Sequence, residues 1–434
     1  MIRTDEDNLV IVKSIESVDE INAKFYGRFQ FPWPPEVLNC PVDPHFETVM
    51  LNQGVGSWDH SVVPRVPNIW VAGCGTNQAV ITALKFPAAT ILASDISTAS
   101  LETATRTAKQ LGITNLEFRN ESINNSTYRE EFDYVICTGV IHHNADPNAP
   151  LEKLVKALRP SGVLELMVYN RYHRITTTAF QKAIRILGGN AGEIDFESEM
   201  YIAKAIIKRH KLRNIMAQSL EQYRDCADSE LADGLLQPVE YSFTVESLES
   251  LCAGSGLEMM ASCVNLYDKA ANNFSWNMEF NDTELQELYD SLPDLRRWQI
   301  SNLLMLERSP MLWFYFQRTD SGRPRKDEKQ LCDDFLELQF TKCATQKKTY
   351  LRAGNGDYVS NGRLFPYPGK HPDEMCRRIV ELVEAQPRVQ MRDIVSQLTP
   401  KASLMLVNKL RLALTTNAFP FLMTTDNTAK ESNT

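Results

Sequence analysis

The stretch IWVAGCGTNQAVITAL (residues 69–84) decides the fold. It opens with a short apolar run, turns at Gly73 and Gly75, and continues as a short helix. A run of that kind, stopped by glycines and followed by a helix, reads as a buried strand, a tight loop and a crossover helix. The glycines let the backbone turn sharply and approach a ligand with no Cβ in the way. The helix behind them presents unpaired N–H groups and a positive dipole end to a carboxylate or phosphate.

Working outward, ATILASDI (89–96) is the next strand, and it ends in Asp95, twenty residues after Gly75. A carboxylate there can accept hydrogen bonds from both hydroxyls of a ribose. The helix TASLETATRTAKQLG (98–112) follows, with Gly112 as its C-cap. LEFRNES (116–122), FDYVICTGV (132–140) and GVLELMVY (162–169) supply three more strands, and LEKLVKALRPSG (151–162) a helix ending in Pro160 and Gly162. The helix TVESLESLCAGSG (244–256), the strand LEMMASCVN (257–265) and the aromatic strand MLWFYFQR (311–318) complete the pattern. The expectation is an α/β fold: a doubly wound, Rossmann-like, mostly parallel seven-stranded sheet covered on both faces. Helical material at about 171–235 interrupts it after the fifth strand, where insertions sit over the ligand crevice.

Dinucleotide enzymes require G-x-G-x-x-G, and GCGTNQA never completes it, because Gln78 stands in the third position. The string instead resembles the first motif of class I S-adenosylmethionine-dependent methyltransferases. FDYVICTGVIHH (132–143) resembles the family's fourth-strand motif, ALRPSGVLELMVYN (157–170) its fifth-strand segment, and DGLLQPVEYSFTVESLESLCAGSGLEMM (233–260) its last helix and sixth strand. The sequence departs from the family at two places: Val71 replaces the usual acid and Asn77 the third glycine. The contact to the methionine amino group must then come from elsewhere, with Asn77, Gln78 or a backbone carbonyl as candidates.

The resemblance implies S-adenosyl-L-methionine as cofactor and methyl transfer as activity. It places Gly73, Cys74, Gly75, Asn77 and Gln78 around the methionine end, Asp95 on the ribose and Ile96 beside the adenine. Ser122 and Ile123 match the segment that meets the adenine ring, and Thr138 and Gly139 lie near the sulfonium. His142 and His143 follow the fourth strand directly, so one of them is a candidate base; family members also carry such a pair for structural reasons. Tyr169, Arg171 and Tyr172 open the insertion and, with Tyr26 and Trp33 of the N-terminal segment, are candidates to touch the acceptor.

The flanks lie outside the resemblance. Residues 1–60 contain KFYGRFQFPWPP (24–35), too rich in aromatics and prolines for a regular helix or central strand, and read as an arm or lid. The methyltransferase domain then spans 61–320, TDSGRPRKDEK (319–329) is a polar linker, and 331–434 forms an accessory C-terminal domain. The helices DEMCRRIVELVEA (373–385), MRDIVSQL (391–398) and ASLMLVNKLRLALTT (402–416) loosely resemble a winged-helix module of the regulatory or dimerisation kind, which makes a homodimer through this region an expectation.

Composition narrows the function. The 434 residues carry a net charge of −9, and the excess acid sits in the body while the segment after 320 is mildly basic. KRHKLR (208–213) is the one dense basic run, best read as a solvated helix face, so nucleic acid is not the expected partner. Nine cysteines without a C-x-x-C pair read as reduced, mostly buried thiols; Cys74 and Cys137 are packing residues rather than nucleophiles, and no ligand set with metal spacing occurs. No apolar run is long enough for a membrane span or signal peptide, which predicts a cytoplasmic protein. The reading favoured is O- or N-methylation of a small-molecule acceptor. The alternative is methylation of RNA or protein with the C-terminal domain as docking module, and a cofactor-binding homologue without turnover is the third class.

Overall fold

The computed structural model describes residues 15–189, 195–367 and 369–425. Its centre is a seven-stranded sheet built from β1 (Asn68–Ala72), β2 (Thr90–Asp95), β3 (Leu116–Asn120), β4 (Phe132–Thr138), β5 (Leu158–Val168), β6 (Leu257–Ser262) and β7 (Leu312–Arg318). The spatial order is β3-β2-β1-β4-β5-β7-β6, parallel except for β7, which runs antiparallel to both neighbours. Side chains alternate across the sheet, as a strand's period of two requires. Trp70, Val135, Leu164 and Phe314 pack on one face; Ile69, Val71, Ile136 and Tyr315 on the other. Both faces are apolar because helices cover both.

The chain enters through α1 (Ile15–Arg28) and α2 (Phe46–Gly54). KFYGR is therefore helical, contrary to expectation: Phe25 and Phe29 fall on one face and bury against Phe180 and Met200 of the insertion, and tertiary packing overrides the weak propensity of these residues. Only the proline-bearing part after Arg28 is irregular. The crossovers α3 (Gln78–Lys85) and α4 (Thr98–Leu111) follow β1 and β2, with Gly112 in the left-handed conformation that closes α4. The next helix, α5 (Asn148–Ala157), stops earlier than its apolar pattern suggests, and Leu158–Gly162 already belongs to β5. Pro160, which has no N–H to donate, sits where the β4–β5 register shifts, a position a strand tolerates. After β5, α6 (Arg171–Leu187) begins at once, capped by the Asn170 side chain, which accepts from Tyr172 N at 3.1 Å.

The C-terminal region is not simply helical. Three helices occur over Glu374–Ala385, Met391–Leu398 and Leu404–Thr415, but strands precede and follow them. Gln346–Arg352 pairs antiparallel with Val37–Pro41 of the N-terminal segment, in a register running from Val37↔Leu351 to Pro41↔Lys347. Two buried polar groups fasten this region to the elements around the sheet. Gln53 of α2 donates to the carbonyls of Thr415 and Leu422 and accepts from Thr424 N. Glu328 accepts from Arg297 Nη2 at 2.8 Å, Asn277 Nδ2 at 2.9 Å and Asn408 Nδ2 at 2.5 Å. The segment read as a linker is itself pinned, because Arg325 bonds Asp294 at 2.7 Å and Arg323 donates to the Ser161 carbonyl.

The Arg297–Glu328 pair is 4% exposed on both sides, so removing the cation leaves a buried carboxylate uncompensated. Arg297→Met is expected to cost about 3 kcal/mol in urea unfolding. A loss below about 1 kcal/mol would mean that Asn277 and Asn408 alone satisfy Glu328.

Candidate functional site

The switch point of the sheet lies between β1 and β4, whose neighbours run off in opposite directions, and ligands of open α/β sheets bind outside the strand ends there. The loop Gly73–Gly75 leaves β1 at this point. Its geometry is fixed by Asp95 at the end of β2, which accepts from Gly75 N and from Ser97 N, both at 2.8 Å. Burial raises the Asp95 carboxyl above its usual range, while these backbone donors oppose the shift. Both oxygens keep a second lone pair for a ligand.

Gly75 has φ +53°, and a Cβ there would come within 2.6 Å of the Phe31 carbonyl. The crowding comes from the arm. Thr76 N donates to the Phe31 carbonyl, Thr76 Oγ1 to that of Pro32, and Asn77 Nδ2 to that of Trp33 at 2.9 Å. The arm thus latches onto the outer edge of the glycine loop through its backbone.

Behind this latch lies a cavity of about 700 Å³, in the range of cofactor and substrate sites. Gly73, Cys74, Gly75, Asn77, Gln78, Asp95, Ile96, Ser122, Ile123, Thr138 and Gly139 all line it. Gln78 and Thr138 clasp each other across the mouth at 2.7 and 2.9 Å. The arm adds Asp19, which accepts from Ser122 Oγ at 2.5 Å, and Asn22, whose side-chain oxygen is buried with no hydrogen-bond partner among the described residues.

The candidate base and acceptor residues divide. His143 lines the cavity; its Nδ1 bonds the Val239 carbonyl at 2.8 Å, which makes Nδ1 the protonated nitrogen and Nε2 the lone-pair side. Burial pushes its pKa down to about 4. His142 does not line the cavity. It is fully buried between the His143 ring at 4.2 Å and the Tyr169 ring at 4.0 Å, with neither nitrogen hydrogen-bonded among the described residues. Burial holds it neutral, so it is packing and not a base. Tyr26 and Tyr169 line the cavity. Trp33 does not: the residue is 52% exposed, and its carbonyl is the part that docks. Arg171 and Tyr172 also lie outside the cavity, because the cap at Asn170 puts them on the first turn of α6.

The sequence reading passed over Asp233, on the short helix Asp228–Leu235. It lines the cavity beside the two tyrosines, and Gln237 Nε2 donates both to its Oδ1 at 3.0 Å and to the Tyr26 hydroxyl at 2.9 Å. Burial pushes its carboxyl up to about 7, against the pull of Arg174. Arg174 is held by a bidentate bond to Glu240 at 2.7 and 2.6 Å, and its guanidinium lies 4.3 Å over the Tyr169 ring.

Both histidines are held below their ordinary value, so the folded state favours neutral rings. The unfolded chain takes up protons near pH 6.5, and stability is therefore lost as pH falls from about 6.5 towards about 4. Unfolding free energy followed by urea titration across that window should decline less steeply in His142→Phe than in the wild type. Equal slopes would show that His142 is solvated and titrates normally.

Comparison with known proteins places these features. Residues 72–219 match a family model described as a methyltransferase domain. An uncharacterized protein of Synechococcus sp. is 26% identical over 320 residues, covering 72% of this chain and 74% of that protein. A tRNA U34 carboxymethyltransferase of Sulfurovum sp. is 29% identical over 136 residues, which are 28% of this chain and 42% of the relative. Among solved structures, PKMT2 from Rickettsia typhi in complex with AdoHcy has a TM-score of 0.54 at 14% identity, covering 88% of this chain and 75% of that one, and so shares the fold.

Proposed function

We propose that this chain, a member of the class I S-adenosylmethionine-dependent methyltransferases, transfers its methyl group to the amine nitrogen of a small molecule. The family assignment rests on the matched methyltransferase domain and the seven-stranded sheet with its reversed seventh strand. The residues present suit the cofactor: Asp95 has lone pairs free for ribose hydroxyls, and the unpaired Asn22 oxygen offers an acceptor to the amine of an adenine. Bound S-adenosylmethionine would supply a methyl carbon already activated by its sulfonium.

The observation that carries the choice of nitrogen is Asp233, placed in the cavity wall with Tyr26, Tyr169 and His143. An amine arrives as an ammonium and must lose a proton before its lone pair can attack. A carboxyl held near 7 accepts that proton at neutral pH. Burial keeps both tyrosine hydroxyls protonated, and His143 Nε2 stays an acceptor, so these groups orient the N–H bonds. With that proton on Asp233, the freed nitrogen lone pair would be held by these groups towards the methyl carbon that bound S-adenosylmethionine would supply. Positioning and exclusion of water supply the rest of the acceleration.

A small acceptor is favoured because segments from both ends of the chain close over the cavity, α1 and Phe31–Pro32 on one side, Tyr367 and Phe421 on the other. No helix among the described residues is long and apolar enough to cross a membrane. We read residues 1–60 as an arm, 61–320 as the methyltransferase domain and 331–434 as a C-terminal region which, rather than being accessory, contributes Lys347, Tyr367 and Phe421 to the cavity wall.

A transfer assay with labelled methyl donor and fractionated cell extract is expected to place label among small metabolites; label in the RNA or protein fraction would overturn the small-acceptor reading. In a purified reaction, Asp233→Asn should lower kcat by roughly a hundredfold or more. The wild-type rate should also fall as pH drops below about 7, and that limb should vanish in the variant. An unchanged pH profile would remove Asp233 as base. Asp95→Ala should weaken S-adenosylhomocysteine binding by about 1.5–3 kcal/mol in calorimetry; unaltered affinity would refute the ribose assignment.

A further inference from the structure

Past the glycine loop the same cavity is walled by residues of α2, the sheet and the C-terminal region, a part termed the α2 lobe. Glu47, in the first turn of α2, lines it at 2% exposure and has no hydrogen-bond partner among the described residues. Burial raises its carboxyl above the usual range and only Lys85, at the end of α3, counters this. Lys85 and Lys347 also line the lobe, half-buried, and neither makes an ion pair among the described residues. The Lys347 ammonium rests 5.1 Å from the Tyr367 ring, and burial lowers its pKa. Of the other charges on this wall, Glu165 is already satisfied by the Tyr134 hydroxyl and by Trp313 Nε1 at 2.8 Å, Lys269 donates to the Ala418 carbonyl at 2.7 Å, and Lys370 is exposed to water.

Desolvated charges without partners are costly, and here two cations and one carboxylate are left open to the same space. A simple cation would meet two lysines, and a simple anion would meet Glu47 with Glu165 behind it. A ligand carrying both signs satisfies the set. We propose that this lobe binds the α-amino-carboxylate end of a free zwitterionic small molecule, its ammonium on Glu47 and its carboxylate between Lys85 and Lys347. This deepens, and rests on, the reading of the cavity as a methyl-transfer site: the molecule is the acceptor, anchored here while its nucleophilic end reaches Thr138 and Gly139. The same chemistry exists in the methionine tail of the cofactor, so the test must separate the two sources.

The test uses the full chain saturated with S-adenosylhomocysteine and titrated calorimetrically with the free proteinogenic L-amino acids, each paired with its decarboxylated amine. At least one amino acid is expected to bind, its amine at least tenfold more weakly. Glu47→Gln and Lys347→Met should each weaken that amino acid by about tenfold and leave S-adenosylhomocysteine within twofold. No response to any amino acid, or equal binding of the amines, sinks the proposal. If Glu47→Gln weakens S-adenosylhomocysteine tenfold but not 5′-methylthioadenosine, which lacks the tail, the lobe belongs to the cofactor and the proposal fails. Failure of the wild type to bind S-adenosylhomocysteine at all would count against the methyl-transfer reading instead.

Discussion

The site depends on one short-range constraint, the pair of backbone N–H groups that Asp95 accepts from Gly75 and Ser97. A carboxylate at the end of a parallel strand has no partner of its own there, and the two amides supply it. In return it fixes where the chain goes after β1. Gly75 is held in a conformation only glycine takes easily, which turns Thr76 and Asn77 outward. Those two residues receive the arm through the carbonyls of Phe31, Pro32 and Trp33. The arm in turn brings Asp19, Asn22 and Tyr26 to the cavity. Moving Asp95 would therefore disturb both the glycine loop and the roof above it.

Behind the opposite wall the support is ionic. Glu240 takes both nitrogens of the Arg174 fork and also accepts from Gln181, while the guanidinium lies over Tyr169. Tyr169 in turn covers His142, which covers His143. The lining residues Tyr169 and His143 are thus held by groups that never reach the cavity, which is how a site on strand ends acquires fixed rotamers. The His pair shows the division of labour: adjacent in sequence, one ring faces the cavity and the other is its packing.

What was legible in the sequence was what local backbone geometry demands. Gly73, Gly75 and Asp95 occupy positions where a strand end, a turn and the next strand end leave little freedom, so the strand-loop-helix pattern with an acid closing the next strand singled them out. Position after β5 was a poorer guide. Tyr169 ends the strand and reaches the cavity, whereas Asn170 starts a helix immediately and carries Arg171 and Tyr172 away. Trp33 misled for another reason, since its ring looked like a wall while its carbonyl does the docking. Asp233, Glu47 and Lys347 were illegible because each is a single charged residue on an ordinary element. Only tertiary packing brings them to one cavity, across 300 residues for Glu47 and Lys347. The pairing of VLNCP with QKKTYLR has the same character, for neither strand alternates strongly enough to name its partner.

That pairing explains why the flanks belong to the site. A Rossmann-like sheet leaves its carboxyl ends open to water, and methyl transfer from a sulfonium requires water to be kept away. Here the roof is assembled from both termini. The arm lies on the glycine loop, the C-terminal region forms the wall beyond α2, and the strand Val37–Pro41 is hydrogen-bonded to Gln346–Arg352 over five residues. Gln53 adds a second tie, one α2 side chain holding three backbone groups of the C-terminal segment. Displacing the arm would strain the strand that carries Lys347, and displacing that strand would pull on the segment that leads back to Phe31. The arm and the C-terminal strand therefore act as one cover, and the glycine loop and the α2 lobe share it.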